Sequence, residues 1–239
     1  MKFQIDSEIF KSFPGVCLGV VVAKEINNTG ENPEVLSIIK EKEEIIRQSM
    51  SIENLSQQPR ISSWRKAYSC FGAKPKKYKS SVESLYRMVL KGMSMRNINK
   101  VVDIYNYISL KHMVPVGGDD LRKVEGDIIL RFARGDETFT ALNSDEEVTV
   151  SPGEVIYCDE RGVLCRRWNW RECDRTKMTG ETKEVIFVAE GLPPVKREEM
   201  QEIAGDLAKM LEIYCGAIVR NAVLDENLPV LDIGRVLEF

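Results

Sequence analysis

Histidine is almost missing from this chain: His112 is the only one in 239 residues. Any site built on several histidines is therefore excluded. No apolar run approaches the ~20 residues of a membrane span, so no membrane association is expected. The N-terminal Met1-Lys2-Phe3-Gln4-Ile5-Asp6 lacks the apolar stretch of a signal peptide, and a cytoplasmic location is expected. The six cysteines, Cys17, Cys70, Cys158, Cys165, Cys173 and Cys215, contain no C-x-x-C pair, and in a reducing compartment they read as free thiols. The spacing of Cys158, Cys165 and Cys173 does not match a zinc knuckle, so buried thiols on strands are expected and no metal or cofactor is implied. No P-loop, no G-x-G-x-x-G and no G-x-S-x-G is present.

What remains is a globular balance, 43% hydrophobic and 30% charged, of a kind that buries a core rather than staying disordered. No linker strong enough to divide the chain stands out, so a single domain over 1–239 is expected, with its motif-bearing core at about 60–190. The net charge of −3 hides an uneven distribution. Residues 60–100 hold eleven basic side chains against one acid, Glu83. A positive lobe on an acidic body suits an anionic partner, with RNA the leading candidate; the alternative is a set of solvated helix faces.

Val16-Cys17-Leu18-Gly19-Val20-Val21-Val22 reads as a strand buried on both faces. An apolar stripe of Val35, Ile38, Ile39, Ile45 and Ile46 predicts a helix over 34–50. A second helix carries Ile61, Trp64 and Tyr68 and stops near Gly72. Ser80 and Glu83 form a capping-box pattern, and Gly92 sits where that helix would end. Another helix is predicted over 98–111, followed by a flexible acidic loop at 115–120. Residues 128–133 and 138–142 flank Arg134-Gly135-Asp136-Glu137 as a hairpin signal. Further strands are predicted at 147–150, 154–158, 163–170, 184–190 and, in the tail, 227–238. A long helix ends near Gly216. Helices first and strands later, without βαβ alternation, define an α+β fold.

Arg166-Arg167-Trp168-Asn169-Trp170-Arg171 is the least ordinary stretch. On a strand, Arg166, Trp168 and Trp170 share one face and Arg167, Asn169 and Arg171 the other. Guanidinium groups hold phosphates and indoles stack on unpaired bases; the alternative buries both rings in the core. In Gly117-Gly118-Asp119-Asp120 the glycines allow a ligand close to the backbone, with Asp120 available to a cationic group. The alternative there is a turn in which Asp119 caps a helix. Arg65, Lys74, Lys76, Lys77 and Lys79 are the candidates for tracking a phosphate backbone.

Asn97-Ile98-Asn99-Lys100-Val101-Val102-Asp103-Ile104-Tyr105-Asn106-Tyr107 resembles a stretch of the editing (B3/B4) domain of the bacterial phenylalanyl-tRNA synthetase beta subunit. Pro115, Asp120, Gly126, Ile128, Arg131 and Ala133 follow in the matching order, and the wider pattern of Trp64-Arg65, Phe71-Gly72, Pro75-Lys76-Lys77-Tyr78, Cys165-Arg166 and Trp168-Asn169-Trp170-Arg171 is similar to free-standing B3/B4 proteins. The resemblance implies a mixed or antiparallel, sandwich-like β core packed with several helices. It also implies hydrolysis, in trans, of the ester of a mischarged aminoacyl-tRNA, without ligase activity. In this reading Asn106 and Glu190 are the catalytic candidates. Gly117 and Gly118 shape the pocket, Glu190 or Asp120 meets the ammonium of the amino-acid moiety, and Arg166, Arg167 or Arg171 holds the acceptor-end phosphates. The family's editing histidine, two residues after the proline, falls by count on Gly117, so it cannot assist here. A non-catalytic tRNA- or RNA-binding module and an amino-acid sensor are the rival expectations.

Overall fold

In this computed structural model, residues 1–234 are described. The chain runs β1 (Lys2–Ile5), α1 (Ser7–Ser12), β2 (Cys17–Lys24), α2 (Pro33–Ser49), α3 (Pro59–Cys70), α4 (Ser81–Leu90), α5 (Lys100–His112) and β3 (Val116–Asp120). It continues through β4 (Ile128–Phe132), β5 (Thr138–Thr140), β6 (Glu147–Thr149), β7 (Val155–Cys158), β8 (Val163–Arg166) and β9 (Arg171–Glu172). It closes with β10 (Val185–Gly191), α6 (Arg197–Cys215), β11 (Ile218–Leu224) and β12 (Val230–Asp232).

The apolar run of β2 explains the layering. Leu18, Val20 and Val22 enter one core, while Cys17, Val21 and Ala23 enter a second. β10 divides the same way, Ile186 and Val188 against Val185, Phe187 and Ala189. A strand alternates its side chains between faces, so only burial on both sides makes every position apolar. At roughly 1.5–3 kcal/mol for each fully buried Val, Leu or Ile, these two strands are the energetic centre of the molecule. They lie in a four-stranded sheet of order β11-β2-β10-β3. One face packs on α5 and α6 through Ile104, Ile108, Ile203, Leu207 and Leu211. The other shares a core with Phe3, Ile128, Leu130, Tyr157 and Leu164 of a six-stranded sheet, order β12-β1-β4-β7-β8-β9. The architecture is α+β, two facing sheets packed with helices. Among the described residues every strand pairing is antiparallel except β1 with β4.

Local chemistry sets the helix starts. Asn32 Oδ1 accepts from the amides of Glu34 and Val35, with Pro33 as the first helical residue. Asn99 Oδ1 accepts from Val102 N at 3.1 Å. The capping box at Ser80 forms by half. Ser80 Oγ accepts from Glu83 N at 3.4 Å, while the buried Glu83 carboxylate turns to Arg65 at 2.9 Å and Arg87 at 2.8 Å.

Four expectations change. The segment 115–120 is not a flexible loop but contains the edge strand β3, because Gly118 lets it lie tightly on β10. β4 and β5 do not form a hairpin: β4 is already paired on both sides, by β1 and β7, and β5 pairs with β6. Between them Glu137 accepts from the amides of Arg134 and Gly135, each at 2.9 Å, and pairs with Arg131 at 2.5 Å. The strand predicted over 163–170 stops at Arg166, since Arg167 and Trp168 take left-handed φ of 49° and 66°. Arg166, Trp168 and Trp170 therefore share no strand face. In the tail, β12 covers Val230–Asp232; the part of the predicted strand beyond 234 lies outside the described residues. β1, α1 and β11 had no prediction of their own.

Candidate functional site

Where β3 meets the second sheet the two layers part, leaving a cavity of about 550 Å³. The four-stranded sheet gives it Val116, Gly117, Gly118, Ile186, Val188 and Glu190; the six-stranded sheet gives Phe3, Ile128, Tyr157, Cys165 and Glu172. α4 closes one side with Ser81, Ser84, Leu85 and Met88, and α5 adds Tyr105 and Asn106. The volume is in the range of small-molecule sites.

Glu190 lies on the inward face of β10 and is buried. Tyr157 Oη donates to its Oε1 at 2.5 Å, and Asn169 Nδ2 donates to its Oε2. Asn169 is itself fixed, accepting from Tyr68 Oη at 2.9 Å. Burial pushes the Glu190 carboxyl up to about 8, against the pull of these donors. Glu172 also reaches about 8, first through burial and then through the charge of nearby Asp119, with the Gly118 amide opposing. Asp119 is raised to about 6, chiefly by burial, although Thr176 Oγ1 donates to it. Three acids around one apolar cavity, with no Lys, Arg or His in ion-pair contact among the described residues, form a strongly perturbed group of the kind found at functional sites.

The structure brings together Asn106, Gly117, Gly118, Trp168, Asn169, Trp170, Arg171 and Glu190 as lining residues. The indoles differ in their surroundings. Trp168 is 0% exposed, packed edge-on against Trp64 at 4.9 Å and Phe13 at 4.8 Å. Trp170 is half-buried at the cavity and meets Tyr78 edge-on at 5.0 Å. Asp120 lies outside the lining: it accepts from Thr182 Oγ1 at 2.7 Å and caps the short 3-10 turn Leu121–Lys123. Arg166 and Arg167 are also outside it. Arg166 makes a fork to Glu154 at 2.8 and 2.9 Å, and Arg167 joins the same carboxylate at 3.0 Å with its guanidinium 3.9 Å from the Tyr78 ring centroid. Glu154→Gln leaves two largely buried guanidinium groups without their counter-charge. A loss of roughly 2 kcal/mol in urea unfolding is expected; an unchanged midpoint would show the pairs to be dispensable.

Of the basic candidates, Lys74, Lys76 and Lys77 are exposed. Lys79 bonds the Lys76 carbonyl at 2.9 Å, and Arg65 is tied to Glu83. Because Tyr78 docks on Trp170, the lysine-bearing loop is fastened to the rim of the cavity. Sequence reasoning missed Glu172, Tyr157 and Tyr105. The one available signal was Tyr157, a hydroxyl in an otherwise apolar strand, which when buried needs a polar partner.

The profile of the B3/4 domain matches residues 63–216, and the chain belongs to that family. It is 40% identical over 75 residues to the phenylalanine–tRNA ligase beta subunit of Colwellia psychrerythraea, covering 31% of this chain and 9% of that protein. The same subunit from Wolbachia sp. is 42% identical over 67 residues, 28% of this chain and 8% of the relative. That of Fusobacterium nucleatum is 28% identical over 114 residues, 46% of this chain and 14% of the relative. The chain thus spans about a tenth of these relatives' length. The crystal structure of an N-terminal fragment of the phenylalanyl-tRNA synthetase beta subunit from Pyrococcus horikoshii superposes with a TM-score of 0.47 at 12% identity, covering 94% of this chain and 54% of that one. Among the described residues no helix is long and apolar enough to cross a membrane.

Proposed function

We propose that this protein binds the acceptor end of aminoacyl-tRNA and hydrolyses the ester of a mischarged amino acid in trans, in the cytoplasm. One observation carries the reading. The lysine-bearing loop is anchored, through Tyr78 and Trp170, to the rim of a half-open cavity that holds perturbed carboxyls. Cations outside and acids inside suit a ligand with phosphates at one end and an ammonium at the other. In the reaction a water attacks the ester carbonyl, the bond to the ribose oxygen breaks, and that oxygen leaves with a proton as the tRNA hydroxyl. Glu190, raised to about 8, accepts the proton of the attacking water near working pH. The Asn106 amide, uncommitted among the described residues, is a donor for the developing oxyanion. No ligase step is part of this reading.

The test is deacylation of a panel of mischarged tRNAs. Turnover of at least one above the buffer rate is expected, and none would end the hydrolase reading. The Gly at position 117, where the resemblance places a histidine, favours a second reading, RNA binding without turnover. In either case Lys74→Ala, Lys76→Ala and Lys77→Ala together should lower the slope of log K against log salt by about 2–3. An unchanged slope would remove the loop from the interface.

A further inference from the structure

Each Glu190 oxygen already accepts from one donor, Tyr157 or Asn169, and Asp120 is turned away to Thr182 and a 3-10 turn. Glu172 differs from both. Its carboxyl group reaches over β3, where a Cβ on Gly117 would stand 2.8 Å from Oε1. The Gly118 amide lies against it, and no cationic side chain pairs with it among the described residues. Asp119 adds a second negative charge behind it. A half-buried carboxylate facing a cavity without a counter-charge is costly, and a ligand cation removes that cost.

A second observation is independent of these acids. Only three buried side-chain polar atoms among the described residues lack a hydrogen bond: Ser81 Oγ, Ser109 Oγ and Trp168 Nε1. Two of the three, Ser81 and Trp168, belong to residues lining this cavity. The Trp168 indole N–H faces Glu190 and Tyr157 yet is in bonding geometry with neither. Trp168 is fully buried and held there in a left-handed conformation. Idle polar atoms in the wall of a roomy cavity mark a place that a polar ligand or water completes.

We propose that Glu172 is the cation subsite of the cavity. It takes the α-ammonium of an amino-acid moiety whose side chain lies among Leu85, Met88 and Val188. This rests on the cavity being the ligand site of the proposed function, and it moves ammonium recognition to a residue other than Glu190 or Asp120. An acyl group lacking the amine fits the same space but leaves Glu172 unpaired.

The experiment uses L-amino-acid amides, which are stable mimics of the ester, with titration calorimetry on the full chain. For the amide that binds most tightly, the des-amino amide is the control. The wild type is expected to prefer the amine by about 10- to 100-fold, the worth of a hydrogen bond to a charged group. Glu172→Gln should abolish that preference while binding the des-amino amide as the wild type does. Gly117→Ala, which pushes on the carboxylate without removing it, should reduce the preference. An amine preference that survives in Glu172→Gln overturns the assignment, as does a panel in which no amide binds. Deacylation distinguishes this from the parent reading. Turnover together with an amine preference independent of Glu172 rejects the subsite alone. A Glu172-dependent preference without turnover rejects the hydrolase and leaves the subsite standing.

Discussion

Gly118→Ala should destabilise the protein by roughly 3 kcal/mol or more, whereas Gly117→Ala, one residue earlier, should fold almost normally. Neither glycine has a positive φ, so the contrast is purely one of space. A Cβ on Gly118 would lie 2.3 Å from the Ile186 carbonyl oxygen, 2.6 Å from Phe187 Cδ1 and 3.1 Å from Phe187 Cα. Those atoms belong to β10, which is paired on both sides, with β2 and with β3. The backbone of a central strand cannot retreat, and Phe187 is buried in the helix-side core, so β3 must lift away. A Cβ on Gly117 meets only the end of the Glu172 side chain, which rotates aside at little cost. Urea unfolding measures the first effect, and amide binding measures the displaced carboxylate in the second. Equal midpoints for the two variants would show that β3 is not held as described.

The pair also shows what was legible in the sequence. The strand buried on both faces announced itself, because the continuous apolar run at 16–22 has no other economical explanation, and 184–190 was legible as a strand. The helices of α2, α3 and α6 were legible from their stripes and caps. β3 was not, because Val-Gly-Gly-Asp-Asp has the composition of a turn. Its strand character comes from the neighbour it lies against, a tertiary cause that local propensity does not register. The same holds for the turn at Arg167 and Trp168. Alternating Arg and Trp looks like a strand, yet Trp168 folds inward to meet Trp64 and Phe13, and that aromatic contact overrides the period-two pattern. Supersecondary pairing was less legible still. Apolar segments around Arg134-Gly135-Asp136-Glu137 resemble a hairpin, but β1, from the far N-terminus, takes the edge of β4.

The candidate site was legible in part, for a related reason. Asn106, Gly117, Gly118, Asn169 and Glu190 lie within stretches whose order could be matched, and the structure places them around one cavity. Glu172 carried no local sign. It is one glutamate among many, and its environment is made by β3 and Asp119, more than fifty positions away in the chain. Charge clustering was equally ambiguous. Arg65 and Arg87 sit in the basic stretch but converge on Glu83, so part of the positive lobe is structural, and the exposed lysines and Arg96 are left for a partner.

Raising the pH from 5 to 8.5 should lower the melting temperature, and Glu172→Gln should flatten that fall. In an unfolded chain a glutamate titrates near 4.5. In the folded protein Glu172 and Glu190 are both lifted to about 8, mainly by burial. Below pH 4.5 both states hold the proton and the contribution of these groups to stability is complete. As pH rises toward 8 the unfolded state loses the proton first, so stability is lost progressively across that window. For Glu172, which is partly exposed, solvent screening holds the loss by pH 8 below about 4 kcal/mol. It does not add simply to that of Glu190, since the two groups and Asp119 sense one another. Glu137 works in the opposite direction. Burial lifts it, but the Arg134 amide, the Arg131 guanidinium and the Gly135 amide pull it down to about 2, so its contribution is present above pH 4.5 and disappears as pH falls toward 2. Glu172→Gln should match the wild type at pH 5 and exceed it at pH 8; parallel melting curves would contradict this. The same carboxylate links stability to ligand. An amide bearing an ammonium should stabilise the wild type more at pH 8, where the unpaired charge costs most, than at pH 5.5, and that difference should vanish in Glu172→Gln.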